Sequence, residues 1–383
     1  MFSRRFFLAA GSVAAASMAL PRIAFARADT ARRFVFIIQR GAADGLAIVA
    51  PTGDPAYRGV RGDFIPDLAT GAALGSFFTL HPALAETAKL YAAKQAAFVH
   101  AVASPYRDRS HFDGQNVLET GGSAAYRVKD GWMNRLLGLL PQDEAKALAL
   151  SSTVPMALRG AHDVSSYAAS ALPGASDDLL ARVGKLYESD QQLHGLWTAA
   201  METRMTAGDL AGGAGQNGAA TGALAAKLLA GDNGARIAMI ETGGWDTHSG
   251  QRGRLNAQLR GLDQLIAALK AGLGPDWSNT LVIVATEFGR TVAPNGTGGT
   301  DHGTASAAML LGGAVAGGSV VADWPGLSQA ALYDGRDLKP TTDLDSLIAA
   351  ALSEHFALDP GKALRLLFPD SASGPLPRGL IRT

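Results

Sequence analysis

The sequence predicts an α/β fold: a mostly parallel central sheet with helices on both faces and a helical cap or insertion. Three observations carry that expectation. Strand-like and helix-like segments alternate along the chain. The strand-like segments are unbroken apolar runs, the pattern of strands buried on both faces. Arg252–Leu273 repeats Leu255, Leu259, Leu262, Ile266, Leu269 and Leu273 at intervals of three or four, one apolar stripe along a helix.

Taken in order, Arg33–Gln39 (RFVFIIQ) is rich in β formers and predicts the first buried strand. Pro82–Gln95 has helical spacing and leads into a strand over Ala97–Val102. Phe112–Thr120 and Trp132–Leu140 predict helices, and Ala147–Leu150 and Val154–Leu158 short strands. A polar helical stretch covers Asp177–Thr206. Ala207–Gly222 (AGDLAGGAGQNGAATG) is of low complexity and reads as a mobile surface loop. Strands follow over Arg236–Ile240, Leu281–Thr286 (LVIVAT) and Ala307–Leu311, with the long helix Arg252–Leu273 between the first two. Asp343–Phe356 and Pro360–Phe368 predict two late helices. No internal repeat is seen. Residues 30–370 read as a single α/β domain, with a cap or insertion at about 104–234.

Composition removes several function classes. The 383 residues carry 34 basic and 34 acidic side chains, a formal net charge of zero. That balance offers no basic footprint for nucleic acid and no polybasic membrane surface. The absence of cysteine excludes disulfides, thiolate metal sites, iron–sulfur clusters and a cysteine nucleophile. A 47% hydrophobic and 18% charged chain has ample material for a core, so disorder of the whole chain is excluded.

The first segment reads as an address. Ser3-Arg4-Arg5-Phe6-Phe7-Leu8 is followed by an uncharged run from Ala9 to Leu20 and by Ala24-Phe25-Ala26, a small-x-small pattern. Residues 1–26 are therefore expected to be a twin-arginine signal peptide, with the twin-arginine export machinery as a partner and a periplasmic or extracellular destination. The apolar run falls short of the roughly 20 residues a membrane helix needs. Ala305–Ala322 is also uncharged, but Gly312-Gly313 and Gly317-Gly318 break any helix there. A buried strand and a glycine turn are expected instead, and no stable membrane span.

In an open parallel sheet, ligands bind beyond the carboxyl ends of the strands. The residues that follow each strand are therefore the ones to read. They are Arg40-Gly-Ala-Ala-Asp44-Gly, Ser104-Pro-Tyr-Arg-Asp-Arg109-Ser110-His111-Phe-Asp113, Glu241-Thr-Gly-Gly-Trp-Asp246-Thr-His248 and Glu287-Phe-Gly-Arg290-Thr291. Asp301-His302-Gly303 stands just before the Ala307–Leu311 strand. Ionised carboxylates about 5 Å apart repel by roughly 3 kcal/mol per pair at an effective dielectric near 20. They call for a counter-charge, from arginine or from a divalent metal. Imidazoles mixed with carboxylates suit zinc or manganese, whereas carboxylates alone would suit magnesium or calcium.

Each residue also has a bland reading. Asp44 before Gly45 can shape a turn. Asp246-Thr-His248 can cap the long helix, Glu287 can pair with Arg290, and Asp301-His302 can be solvated loop residues. Ser110 can be an N-cap. His81, His100, His162, His194 and His355 read as structural or surface residues.

The same five segments resemble an exported bacterial family known as domain of unknown function 1501, from about residue 30 to about 370. That family is placed near the alkaline phosphatase and sulfatase superfamily. The resemblance implies a mostly parallel sheet with one or two metals at its rim. It implies metal-ligand roles for Asp44, Asp246, His248, Glu287 and His302, and a nucleophile or metal-bridging hydroxyl at Ser110. Departures accompany it. Asp246 and His248 are two apart where the superfamily has four, and Glu287 stands where Asp is normal. Ser104-Pro105-Tyr106-Arg107 is one residue short of the sulfatase pattern and lacks its Cys, so an aldehyde-type sulfatase nucleophile is not supported.

Two function classes follow. One is an exported metal-dependent hydrolase acting on a small anionic phosphate or sulfate ester. Its metal ligands would be Asp44, Asp246, His248, Glu287, Asp301 and His302. Ser110 or a metal-bound water would attack, His111 would be acid/base or ligand, and Arg290 or Arg40 would hold anionic oxygens. The other is a non-catalytic exported binding or assembly protein that retains the fold.

Overall fold

The computed structural model describes residues 31–64, 68–141, 146–167, 177–187, 190–207, 217–371 and 376–382. The expected signal peptide, residues 1–26, lies outside them.

The chain enters through β1 (Arg33–Gln39), whose seven residues are all buried. It continues through α1 (Gly45–Ile48), β2 (Val49–Ala50), α2 (Tyr57–Arg61), β3 (Ala72–Leu74) and β4 (Phe78–Leu80). Next come α3 (Ala85–Ala92), β5 (Ala96–Ala103), α4 (His111–Thr120), α5 (Trp132–Leu137), β6 (Ala147–Leu150) and β7 (Ser165–Ser166). The helices α6 (Asp177–Tyr187), α7 (Gln191–Ala207) and α8 (Gly218–Leu229) precede β8 (Ile237–Thr242), α9 (Gln251–Leu273) and β9 (Thr280–Ala285). The last part holds β10 (Ser306–Leu311), β11 (Ser319–Val321), β12 (Thr342–Asp343), α10 (Leu344–Phe356) and α11 (Pro360–Leu367).

The main sheet has the order β11-β5-β10-β9-β1-β8-β6-β7, with β12 also paired to β5. Its pairings are parallel except for those of β10, which runs antiparallel to both β9 and β5. A small antiparallel sheet, β2-β4-β3, lies apart. Alternation along β1 shows why helices cover both faces. Phe34, Phe36 and Ile38 pack with Trp132 of α5 and with α10 and α11. Val35 and Ile37 pack on the other side with α8, α9, Trp245 and Trp277. Each fully buried Leu, Ile or Phe in these layers contributes about 1.5–3 kcal/mol. The fold is thus the expected mostly parallel sheet flanked by helices, and no helix among the described residues is long and apolar enough to cross a membrane.

Three local expectations are corrected. Val154–Leu158 is not a strand: Pro155 lacks the N–H a strand ladder needs, and Met156–Leu158 forms a 3-10 turn. The helical stretch Asp177–Thr206 is two helices, α6 and α7. The segment expected to be a loop over 207–222 ends in helix. Residues 208–216 lie outside the described residues, but α8 begins at Gly218, capped by the Asn217 side chain on the Ala219 N–H. A Cβ on Gly222 would come within 2.2 Å of the Leu265 carbonyl oxygen, so small residues here permit close α8–α9 packing rather than looseness. Residues 104–234, expected to hold a cap or insertion, contribute β6 and β7 to the sheet and α8 to one face.

Candidate metal centre

Five adjacent strands, β5-β10-β9-β1-β8, deliver their connecting loops to one rim. Four of them run the same way and present their carboxyl ends there. Because β10 is antiparallel, the residues before it reach the same rim, which is how His302 joins residues that follow strands.

The loop after β1 is held by close backbone approach. Gly41 has φ +118°, and a Cβ there would lie 2.5 Å from the Asp246 nitrogen. The loop therefore lies directly on the one after β8. Its Gly41 N–H donates to Glu287 Oε1 at 2.8 Å, and the Ala43 N–H to Thr286 Oγ1 at 3.0 Å.

Three histidines then meet, each with its Nδ1 engaged. His111 Nδ1 lies 2.8 Å from Glu287 Oε1, His248 Nδ1 2.9 Å from Asp301 Oδ1, and His302 Nδ1 2.9 Å from the Arg109 carbonyl oxygen. A carbonyl and an ionised carboxylate can only accept, so each Nδ1 carries the proton. In the neutral ring each Nε2 is then a bare lone pair. These lone pairs converge on Asp246 Oδ1, at 3.0 Å from His248, 3.4 Å from His302 and 3.5 Å from His111. His248 Nε2 and His302 Nε2 stand only 2.9 Å apart. At that distance either one Nε2 carries a proton and donates it to the other, or the two lone pairs share a cation. Two nitrogens bound to one tetrahedral zinc stand roughly 3.3 Å apart, given Zn–N bonds of about 2.05 Å.

His111, Asp246 and His302 present ligand atoms that all lie within 4.8 Å of one another, a group able to hold a metal ion. The fit is supported by an orphan: His111 Nε2 is buried and makes no hydrogen bond. His248 touches two of the three and completes an N-rich set. The outer partners obey the rule for metal-bound histidine, in which a carboxylate or carbonyl fixes ring orientation and tautomer.

The surroundings shift several of these groups. The hydrogen bond to Glu287 raises the His111 pKa against the opposing effect of burial. Burial, with His111 nearby, lowers that of His302. Burial works against charge on Glu287, but hydrogen bonds from His111, Gln115 and the Gly41 N–H prevail and keep its carboxyl below the usual range. Asp246 is likewise partly desolvated and is held low by Arg290.

Not every predicted residue joins the group. Asp44 is buried, and its oxygens are taken by Arg61 at 2.5 and 3.0 Å, by Gln251 Nε2 at 2.5 Å and by the Ala47 N–H at 3.3 Å. It caps α1 and pairs with a guanidinium. Asp301 stands behind His248, and Glu287 behind His111. Glu287 makes no pair with Arg290; its second oxygen accepts from Thr286 Oγ1 at 2.9 Å.

Arg290 is buried, donating from one terminal nitrogen to Asp246 Oδ1 at 2.7 Å, from the other to the Thr300 carbonyl, and from Nε to Thr300 Oγ1 at 3.1 Å. It orients Asp246 rather than standing open to an incoming anion. Arg40 faces Gln115 at 2.8 Å, Glu119 at 2.8 Å and Glu241 at 2.5 Å. Ser110 occupies the N-cap position of α4 without a side-chain capping bond.

Sequence reasoning missed four contributors. Gln115, four residues after His111 and so on the same helix face, donates to Glu287 Oε1 at 3.0 Å, and that spacing was a usable signal. Gln251 links Asp44 to Thr300 and Thr247. The Arg109 carbonyl, and Asp337 whose buried carboxylate pairs with the Arg109 guanidinium at 2.8 Å, carried no signal, because a backbone oxygen and a distant buried carboxylate leave no motif.

Comparison with solved structures finds three weak likenesses among others. The C-terminal periplasmic domain of EcEptC from Escherichia coli, in complex with Zn, is 8% identical, with 75% of this chain and 74% of that chain covered and a TM-score of 0.36. A TAB5 alkaline phosphatase mutant with Mg bound is 13% identical, covering 75% and 91%, with a TM-score of 0.33. The alkaline phosphatase from the Antarctic bacterium TAB5 is 12% identical, covering 73% and 91%, with a TM-score of 0.31. Among curated proteins the sequence finds no match. Residues 31–368 match the family described as Protein of unknown function (DUF1501), and the chain belongs to that family.

Proposed function

We propose that the protein is a metal-dependent hydrolase of phosphate or sulfate esters, exported by the twin-arginine route to the periplasm or beyond. The observation that carries the reading is the convergence of three Nδ1-tied imidazoles on Asp246 Oδ1. His111, His248, His302 and Asp246 would hold the ion, and a nitrogen-rich donor set favours zinc or manganese over magnesium or calcium. A bound divalent ion would supply Lewis-acid polarisation of an ester oxygen and a water of lowered pKa. Glu287 and Asp301 would keep their histidines in the binding tautomer. Arg290 would hold Asp246 ionised and in place. Ser110, next to His111 and with its hydroxyl uncommitted to capping, is the nucleophile this reading favours.

The engagement of both Arg40 and Arg290 by the protein's own acceptors favours a second reading, a non-catalytic exported binding or assembly protein with a structural metal. One experiment separates the two. Protein recovered after export is analysed for metal and assayed on aryl phosphates and aryl sulfates, alongside Ser110→Ala and His302→Ala. Turnover lost in both variants supports the hydrolase; bound metal with no turnover on a broad panel moves the conclusion to the second reading. Export itself is tested by Arg4→Lys with Arg5→Lys, which should keep the protein in the cytoplasm.

A further inference from the structure

We infer that Asp337, far from the metal centre in sequence and not a ligand, is a positioning residue that sets the site's metal affinity through Arg109 and His302. The inference rests on the metal reading above. The outer hydrogen bond that aims His302 runs from its Nδ1–H to the Arg109 carbonyl oxygen at 2.9 Å. Where that oxygen points depends on the Arg109 backbone, which has φ +60°, a left-handed conformation that a non-glycine residue adopts only when something holds it.

A buried carboxylate holds it. The Arg109 guanidinium donates from Nε to Asp337 Oδ2 at 2.9 Å and reaches the same carboxylate from a terminal nitrogen at 2.8 Å. Asp337 is fully buried and accepts further bonds from Thr304 Oγ1 at 2.9 Å and Arg336 Nε at 2.9 Å. Its backbone is fixed as well, bridging both Thr291 and Tyr333. Thr304 and Thr291 flank His302 and Arg290 in the chain, so the segment that anchors Arg109 also anchors the strand entry that carries His302. Arg336 donates to the His302 carbonyl at 2.7 Å, closing the loop of contacts. The left-handed turn at Arg109 also leads directly into Ser110 and His111, so the same clamp sets where α4 begins. Asp334 pairs with Arg109 too, at 3.0 Å, but it is 60% exposed, and solvent weakens such a pair.

The test measures zinc and manganese dissociation constants by chelator competition, together with the tautomer of the His302 ring in apo protein by nitrogen NMR. Asp337→Asn keeps the shape and removes the charge. It should weaken metal binding about 10–100-fold, the usual effect of losing an outer-shell partner, and give His302 a mixed tautomer. Asp334→Asn should change affinity less than about 3-fold, as a screened surface pair would. Arg109→Lys, which keeps a cation near Asp337 but loses the planar fork, should weaken binding about 10-fold and covers the case in which Asp337→Asn does not fold. Unchanged affinity in the folded variants, or equal losses in Asp334→Asn and Asp337→Asn, overturns the inference. Wild-type protein that binds neither metal overturns the metal reading and this inference with it, whereas wild-type binding with an indifferent Asp337 overturns this inference alone.

Discussion

An imidazole that gives its Nδ1 proton to a fixed acceptor has only a lone pair left to offer at Nε2. Three such rings around one carboxylate oxygen would form a cation receptor, and Glu287 shows how much of that would rest on charge. Its Oε1 accepts from His111 Nδ1, Gln115 and the Gly41 N–H at once, inside a buried pocket. Glu287→Gln should keep the volume, remove the negative charge and let an amide N–H face His111. The expected result is metal affinity about 10–100-fold weaker in a chelator competition, with little change in fold by circular dichroism. A loss under about 2-fold would show that the tautomer is fixed elsewhere. A second residue-scale prediction concerns stability and pH. Asp345, fully buried in the first turn of α10, has its carboxyl pushed up to about 7 by burial and by nearby Asp343, despite the Ser371 hydroxyl bond. A folded pKa above the unfolded one means that the folded chain keeps a proton the unfolded chain has lost. Stability therefore falls as pH rises from about 4 to about 7, and stays level above that. The penalty is at most about 4 kcal/mol. Asp345→Asn should flatten this slope and raise the urea midpoint at pH 8; equal midpoints for the two proteins across pH 4–8 would contradict it.

Among the elements, the loop after β1 illustrates why backbone rather than side chain decides the site. Gly41→Ala would place a methyl group 2.5 Å from the Asp246 nitrogen at φ +118°. It should destabilise the protein by about 1–3 kcal/mol, read as a lowered denaturant midpoint, and should weaken metal binding as the β8 loop shifts. Strands such as Arg33–Gln39 and Ala147–Leu150 were legible to the residue, because burial on both faces leaves an unbroken apolar run. The amphipathic helix α9 was legible for the matching reason, its period. What failed were elements whose cause lies elsewhere in space. α8 looked like a loose glycine-alanine tract because the partner that needs its small residues, α9, is distant in sequence. At the rim, Asp246, His248 and His302 were readable from strand ends. Asp44 was readable as a residue after a strand, but not its pairing with Arg61, because an Asp-Gly looks alike in sequence whatever it meets. The internal partners of Arg290 were likewise not readable, since a sequence does not say which acceptors a guanidinium meets.

At the scale of the whole molecule, the site ties together segments separated by most of the chain, from Gly41 to His302. His111 opens α4, His248 lies in the loop after β8 and His302 in the connection from β9 to β10. An unfolded chain cannot hold that constellation, so an ion bound there is linked to folding and stabilises by RT ln(1 + [L]/Kd). At a free metal concentration of 100 Kd the gain is about 2.7 kcal/mol, and it should disappear with a chelator. Calorimetric unfolding with and without chelator should therefore show a metal-dependent rise in midpoint, with about one ion per chain by elemental analysis. His302→Ala should abolish the rise while leaving the chelated midpoint nearly unchanged, because the apo site holds polar groups at a half-exposed rim rather than core. Asp44→Asn should act in the opposite sense. Its carboxylate neutralises buried Arg61 inside the protein, so its loss should reduce stability by the roughly 3–5 kcal/mol typical of a broken buried pair and lower the midpoint with and without metal alike. If Asp44→Asn instead abolished the metal-dependent rise and spared the chelated protein, Asp44 would be a ligand, and the centre would be larger than the four residues assigned to it.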